Sequence, residues 1–82
     1  MNRDDVLTKL QEIFADLLDD ETFELTEEVS METLSDWDSL FHITLIAAIE
    51  DEFKIKIATD DIPKAKKVNI IIDLIVQGLK KQ

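Results

Sequence analysis

Two adjoining stretches decide how this chain is expected to fold: DWDSL at residues 36–40 and FHITLIAAIEDEF at residues 41–53. Asp38 is a residue type that accepts hydrogen bonds from the free amides of a helix start, so it predicts an N-cap and places Ser39 in the first turn. The spacing of the apolar residues predicts a helix over 39–53. Its core-facing stripe is expected to consist of Leu45, Ile46, Ile49 and Phe53.

A longer amphipathic helix is expected before this segment. Apolar side chains recur at steps of three and four over residues 3–18, and Asn2 or Asp4 can cap the start of that helix. Its inward stripe is expected to comprise Val6, Leu10, Ile13 and Leu17, widened by Leu7, Phe14 and Leu18.

Two shorter helical segments are expected after the helix at 39–53. Residues 59–63 can form one short helical turn, and residues 70–80 predict a last helix that Asn69 can cap. Gly78 and the closing lysines suit the C-terminal end of that helix. Residues 54–58 alternate like a strand but have no partner strand in the sequence, so an extended connection is expected there.

The segment 19–37 shows no sustained periodicity. A loop of that length in a small chain is usually functional or disordered, and its scattered apolar residues favour an ordered loop packed across the helices. With only one glycine and one proline in 82 residues, the composition favours helices over hairpins. The sequence therefore predicts one all-α domain over 1–82, a small bundle of three main helices plus one short helix.

The charge distribution narrows the range of partners. Nineteen acidic and nine basic residues give a net charge of −10, and sixteen of the acids lie within residues 1–53. Such a surface repels nucleic acid and anionic membranes and attracts basic proteins, although acidity can also serve solubility alone. The chain has no cysteine, no apolar stretch long enough to span a membrane and no signal-peptide pattern. We therefore expect a cytoplasmic monomer without nucleic-acid binding or membrane insertion.

Ser39 is the residue with the most distinctive position. At the start of a helix, free backbone amides and the positive end of the dipole favour an anion, so a phosphodiester on Ser39 would be stabilised. The carboxylates of Asp36 and Asp38 would oppose it locally, unless they bind the divalent metal of a modifying enzyme.

The tripeptide Asp38-Ser39-Leu40 at the head of a helix that ends in acidic residues and Phe53 resembles the acyl carrier protein family. The resemblance covers nearly the whole chain, including the first helix, the long loop and the segment VNIIIDLI at 68–75. It implies that a phosphopantetheinyl transferase attaches 4′-phosphopantetheine from coenzyme A to Ser39, using Mg²⁺ that Asp38 could help to bind in that complex. No intrinsic metal is implied.

The same resemblance implies that the protein is a carrier and not an enzyme. The thiol of the arm would hold acyl intermediates as thioesters and present them to acyl-loading and acyl-processing enzymes of fatty-acid, polyketide or related biosynthesis. Those enzymes would have basic docking surfaces. The docking residues carried over from the family are Asp38, Leu40, Ile43, Ala47, Glu50 and Asp51, although Glu50 and Asp51 could equally belong to a solvated helix face.

Several residues depart from the pattern of the fatty-acid carriers. Trp37 precedes the motif where many members have a different, glycine-containing lead, and we expect it to be a half-buried anchor of the loop. Phe41 and His42 stand where acidic and small polar residues are common in the fatty-acid type, and Thr44 stands where that type often has glutamate. His42 is the only histidine and is expected at the surface, without a catalytic or metal-binding role.

Other functions are less compatible with the sequence. An enzyme would need a phosphate loop, a triad or a suitable carboxylate pair, and none is evident. A calcium loop that starts at Asp36 fails, because Phe41 and Ala47 occupy the positions that require glycine and glutamate. The alternatives that stay open are an aminoacyl or peptidyl carrier, and an acidic helical interaction module that is not modified.

Overall fold

Three α-helices and one short 3-10 helix follow one another in the computed structural model, which describes residues 1–81. The first helix, α1, spans Arg3–Leu18, and the second, α2, spans Ser39–Phe53. The 3-10 helix spans Thr59–Lys64, and α3 spans Val68–Lys80. The first two helices begin and end at the predicted residues, whereas α3 begins two residues before the predicted position.

The start of α1 is fixed by a reciprocal pair of hydrogen bonds. The Asn2 side chain accepts a hydrogen bond from the Asp5 amide at 2.9 Å, and the Asp5 carboxylate accepts one from the Asn2 amide at 3.4 Å. Asn2, and not Asp4, is therefore the N-cap. Both acids of the first turn lie where the helix dipole favours negative charge.

The core forms where α1 packs against both α2 and α3. Each fully buried aliphatic or aromatic side chain contributes about 1.5–3 kcal/mol to the free energy of unfolding. Leu17 and Leu79, which were expected to face inward, are only partly buried. The buried side chains of the three helices are Val6, Leu10, Ile13, Phe14, Leu45, Ile46, Ile49, Phe53, Val68, Ile71, Ile72 and Ile75.

The long loop is ordered by backbone hydrogen bonds to the segment that leads into α3. The Met31 amide donates to the Lys66 carbonyl at 2.9 Å, and the Val68 amide donates to the Val29 carbonyl at 2.9 Å. The Asn69 amide donates to the Glu27 carbonyl at 3.1 Å. Loop carbonyls thus bind the first free amides of α3, and no side chain needs to cap it.

Asn69 was predicted to cap the last helix, and this prediction is wrong. Asn69 lies inside α3, where the N-cap position belongs to Lys67 without a side-chain hydrogen bond. The Oδ1 atom of Asn69 is buried and finds no hydrogen-bond partner among residues 1–81.

Arg3 connects three parts of the chain at the surface. Its guanidinium donates to Glu27 of the loop at 2.6 Å and to Asp73 of α3. The hydrogen bond with Glu27, and to a smaller extent the one with Asp73, raises the pKa of Arg3 above its usual range. Because the three side chains are solvent-exposed or nearly so, salt screens their attraction.

The connection after α2 is extended, as predicted, and is bound to α2 by a side chain. Lys54 ends the helix in the left-handed conformation, with φ at 57°. The Ile57 amide then donates to the Glu50 carboxylate at 2.8 Å. Ile57 is buried, so this bond holds the connection against the bundle.

Gly78 lies in the last turn of α3, at the C-terminal end where it was expected, and it also allows close packing. A β-carbon at this position would lie 3.1 Å from Cδ1 and 3.2 Å from Cβ of Ile55. Glycine therefore lets the extended connection approach α3 closely.

None of the helices described within residues 1–81 combines the length and the apolar character that a membrane crossing requires.

We predict that Gly78→Ala lowers the free energy of unfolding by about 1 kcal/mol, because overpacking typically costs more than the ~1 kcal/mol that alanine gains in a helix. Urea unfolding followed by circular dichroism measures the change. Gln77→Ala, at the exposed neighbouring position, is the control and should change stability little. A more stable Gly78→Ala variant would show that Ile55 moves aside without cost.

Candidate attachment site at the start of the second helix

Ser39 is the first residue of α2 and is exposed to solvent. Asp38 precedes it in an extended conformation, and its Oδ1 accepts a hydrogen bond from the Phe41 amide at 2.9 Å. The predicted N-cap is therefore confirmed. The Ser39 hydroxyl forms no hydrogen bond with the described residues, so it is open to another molecule.

An apolar groove of about 260 Å³ lies beside Ser39. One wall comes from α2, through Ser39, His42 and Ile43. The opposite side comes from a distant part of the chain, namely Ile62, Pro63 and Lys66, with Met31 of the long loop. Lys66 is exposed, so the groove combines apolar walls with a cation on the side opposite Ser39.

His42 is buried, and the prediction that it lies at the surface is wrong. Only 6% of the residue is exposed, and both ring nitrogens are hydrogen-bonded. Nδ1 accepts a hydrogen bond from the indole N–H of Trp37 at 3.0 Å. The ring proton of the neutral side chain must then be on Nε2, which donates to the Ile62 carbonyl at 2.8 Å.

Trp37 is buried more deeply than the expected half-buried anchor, with 2% of its surface exposed. Its ring meets Phe14 of α1 edge-on at a centroid distance of 5.3 Å and lies over His42 at 5.9 Å. Phe41 also contacts the Phe14 ring, at 5.7 Å. The loop and the first turn of α2 are therefore anchored to α1 by an aromatic cluster directly behind Ser39.

Most of the residues predicted for partner docking lie on an exposed face of α2. Leu40 is 76% exposed and Ile43 is 65% exposed, although both have large apolar side chains. Exposed apolar surface of this kind can mark an interaction site. Glu50 differs from the others, because it is half-buried and its carboxylate binds the Ile57 amide. The remaining exposed members are Asp38, Ala47 and Asp51.

No protein-family model matches the sequence. An acyl carrier protein from Rubrobacter xylanophilus is 34% identical over 77 residues, which cover 94% of this chain and 95% of that protein. The chain belongs to the acyl carrier protein family. The relatives are named as carriers and not as enzymes, in agreement with the expected class.

Two solved acyl carrier proteins share this fold. The solution structure of the holo acyl carrier protein from Geobacter metallireducens superposes with a TM-score of 0.83 at 37% identity, covering 92% of this chain and 86% of that chain. The crystal structure of the acyl carrier protein from Thermotoga maritima gives 0.85 at 30% identity, covering 99% and 94%. The predicted family and the all-α bundle are both confirmed.

The groove of this acyl carrier protein contains residues that the sequence did not indicate. Met31, Ile62, Pro63 and Lys66 line the same groove as Ser39 only because the loop and the segment around the 3-10 helix fold back onto α2. Within residues 1–81, no group of three or more histidine, cysteine or acidic side chains is arranged to hold a metal ion. The carboxylates near Ser39 do not form such a cluster by themselves.

We predict that Asp38→Ala lowers the free energy of unfolding of this carrier by about 1 kcal/mol, because the Phe41 amide loses its cap. Chemical denaturation measures the loss. Asp36→Ala is the control. It removes the same charge two residues before Asp38, and the Asp36 side chain makes no hydrogen bond in the described chain. Equal losses in both variants would assign the effect to charge and not to the cap.

Proposed function

We propose that Ser39 is the attachment site of 4′-phosphopantetheine and that the chain carries acyl groups as thioesters on that arm. The observation that carries the proposal is the exposed, unbonded Ser39 hydroxyl at the capped head of α2 in a chain of the acyl carrier protein family. The carrier would work in the cytoplasm, in fatty-acid, polyketide or related biosynthesis.

The surroundings of Ser39 suit a phosphodiester. The hydroxyl is exposed, the first amides of α2 point towards the helix start, and Lys66 places a positive charge along the same groove. The Asp38 carboxylate already accepts a hydrogen bond from one of these amides, that of Phe41, and its charge would repel a phosphate. Its charge would be neutralised in the transferase complex by Mg²⁺, for which carboxylate oxygens are suitable ligands.

The modification is a phosphoryl transfer. The Ser39 oxygen bonds to the phosphorus that bears the pantetheine, the pyrophosphate bond of coenzyme A breaks, and adenosine 3′,5′-bisphosphate leaves. Because the Ser39 hydroxyl has no hydrogen-bonded base among the described residues, the transferase would accept its proton. The arm supplies the thiol that this cysteine-free chain lacks.

The exposed face of α2 is the proposed docking surface for the transferase and for acyl-processing enzymes. Leu40, Ile43 and Ala47 provide apolar contacts, and Asp38 and Asp51 provide negative charge around them. Such a surface suits a partner with a basic rim, since complementary charge raises the association rate while apolar contacts fix the register. Glu50 contributes less, because it binds the Ile57 amide.

Incubation with coenzyme A, Mg²⁺ and a promiscuous phosphopantetheinyl transferase tests the attachment site. We expect intact-mass analysis to show the addition of one phosphopantetheine, and none in Ser39→Ala. Ser35→Ala, which removes an exposed serine four residues earlier, is the matched control and should be modified normally. A folded chain that gains no mass with several such transferases would contradict the proposal and favour an unmodified interaction module.

The docking surface is tested by comparing two exposed isoleucines. We expect Ile43→Asp to lower kcat/KM of the transferase by about tenfold, which corresponds to about 1.4 kcal/mol of lost interaction. Ile70→Asp places the same charge on α3, where the isoleucine is 37% exposed, and should leave kcat/KM nearly unchanged. Equal losses in the two variants would contradict a docking role for α2.

A further inference from the structure

The buried His42 side chain lines the groove beside Ser39. Ser39 and His42 lie on α2, and Ile62 lies on the 3-10 helix across the groove. The hydrogen bond from His42 Nε2 to the Ile62 carbonyl, at 2.8 Å, joins the two sides. A group that passed from the groove into the core between His42 and Ile62 would have to break this bond.

A second layer lies behind the first. The Trp37 indole donates to Nδ1 of the same imidazole, and its ring contacts Phe14 in the middle of the bundle. His42 and Trp37 are both buried, so the imidazole has no access to replacement water on its inner side. Two hydrogen bonds and an aromatic stack therefore stand in series between the groove and the core.

Opening this closure for an acyl chain would be unfavourable. A hydrocarbon chain offers no hydrogen bond to the Trp37 N–H, so this buried donor would be left unpaired if the chain displaced His42. The Ile62 carbonyl would lose the His42 bond and keep the one from the Ala65 amide, at 3.2 Å. The groove outside the imidazole is apolar and open to solvent, so it can cover the first carbons of a chain without this loss.

We propose that His42 limits the length of cargo that this carrier shelters: the groove covers a few carbons, and the remainder of a longer acyl chain stays outside the bundle. This inference rests on the proposed function, because it concerns an acyl group on an arm attached to Ser39. It makes His42 a specificity-determining residue, and short acyl groups the class that the folded carrier protects.

Thermal unfolding of a loaded series tests the limit. The transferase loads acetyl-, butyryl-, octanoyl- and dodecanoyl-pantetheine arms from the corresponding acyl coenzyme A, and intact mass verifies each product. A methylene that leaves water completely would raise the Tm of a domain of this size by about 3–6 °C. We expect Tm to rise between the acetyl and butyryl forms and then to stay level up to the dodecanoyl form.

Two variants remove the closure in different ways. His42→Ala deletes the imidazole, and we expect its Tm to keep rising with chain length when measured relative to its own acetyl form. Trp37→Phe keeps the aromatic packing and removes only the N–H donor to His42, so a partial rise is expected. Thr44→Ala, on the exposed side of the same helix, is the control and should remain level.

The outcomes separate this inference from the one on which it rests. Absence of the arm in the mass spectrum contradicts the proposed function and removes the inference with it. Loaded native protein whose Tm rises continuously to the dodecanoyl form contradicts the length limit and leaves the carrier function intact. The acyl series on the unsubstituted protein decides the question even if His42→Ala fails to fold.

Discussion

Burial of the apolar face of α1 against both α2 and α3 is the constraint on which the rest of the structure depends. A chain of 82 residues buries few side chains, so each helix must present nearly all of its apolar stripe to the same centre. The connections then have to lie over this core without leaving backbone groups unpaired. This explains why the long loop binds the start of α3 and why Glu50 holds the Ile57 amide.

The aromatic cluster around Phe14 connects that core to the proposed attachment site. Phe14 belongs to the core, Trp37 belongs to the loop, and both meet immediately behind the first turn of α2. His42 extends the cluster by hydrogen bonds to Trp37 and to the Ile62 carbonyl. The first turn of α2 is thus anchored to the core while the Ser39 hydroxyl remains open, which is the arrangement that the proposed attachment of a mobile arm requires.

Charge and apolar surface have separate roles on this carrier. The acidic residues concentrated in the first two thirds of the chain would provide long-range attraction for the basic partners that we propose. The exposed Leu40 and Ile43 provide the contacts that would position a partner on α2. Lys66, from the last third of the chain, lies across the groove from Ser39 and offers a charge of the opposite sign. The uneven distribution of charge along the sequence therefore corresponds, in the folded carrier, to negative charge on the exposed face of α2 and positive charge on the opposite side of the groove.

The sequence by itself determined the helices, the Asp38 cap, the place of Ser39 in the first turn of α2 and the family, because each depends on neighbours within a few residues or on a local motif. It did not determine the burial of His42, the packing role of Gly78 or the start of α3. His42 is bound by Trp37 and Ile62, Gly78 faces Ile55, and the first amides of α3 bind carbonyls of the loop. Only the tertiary structure decided these features, because their partners are distant in the chain or lie on the far side of a turn, where spacing along the sequence carries no information about contact.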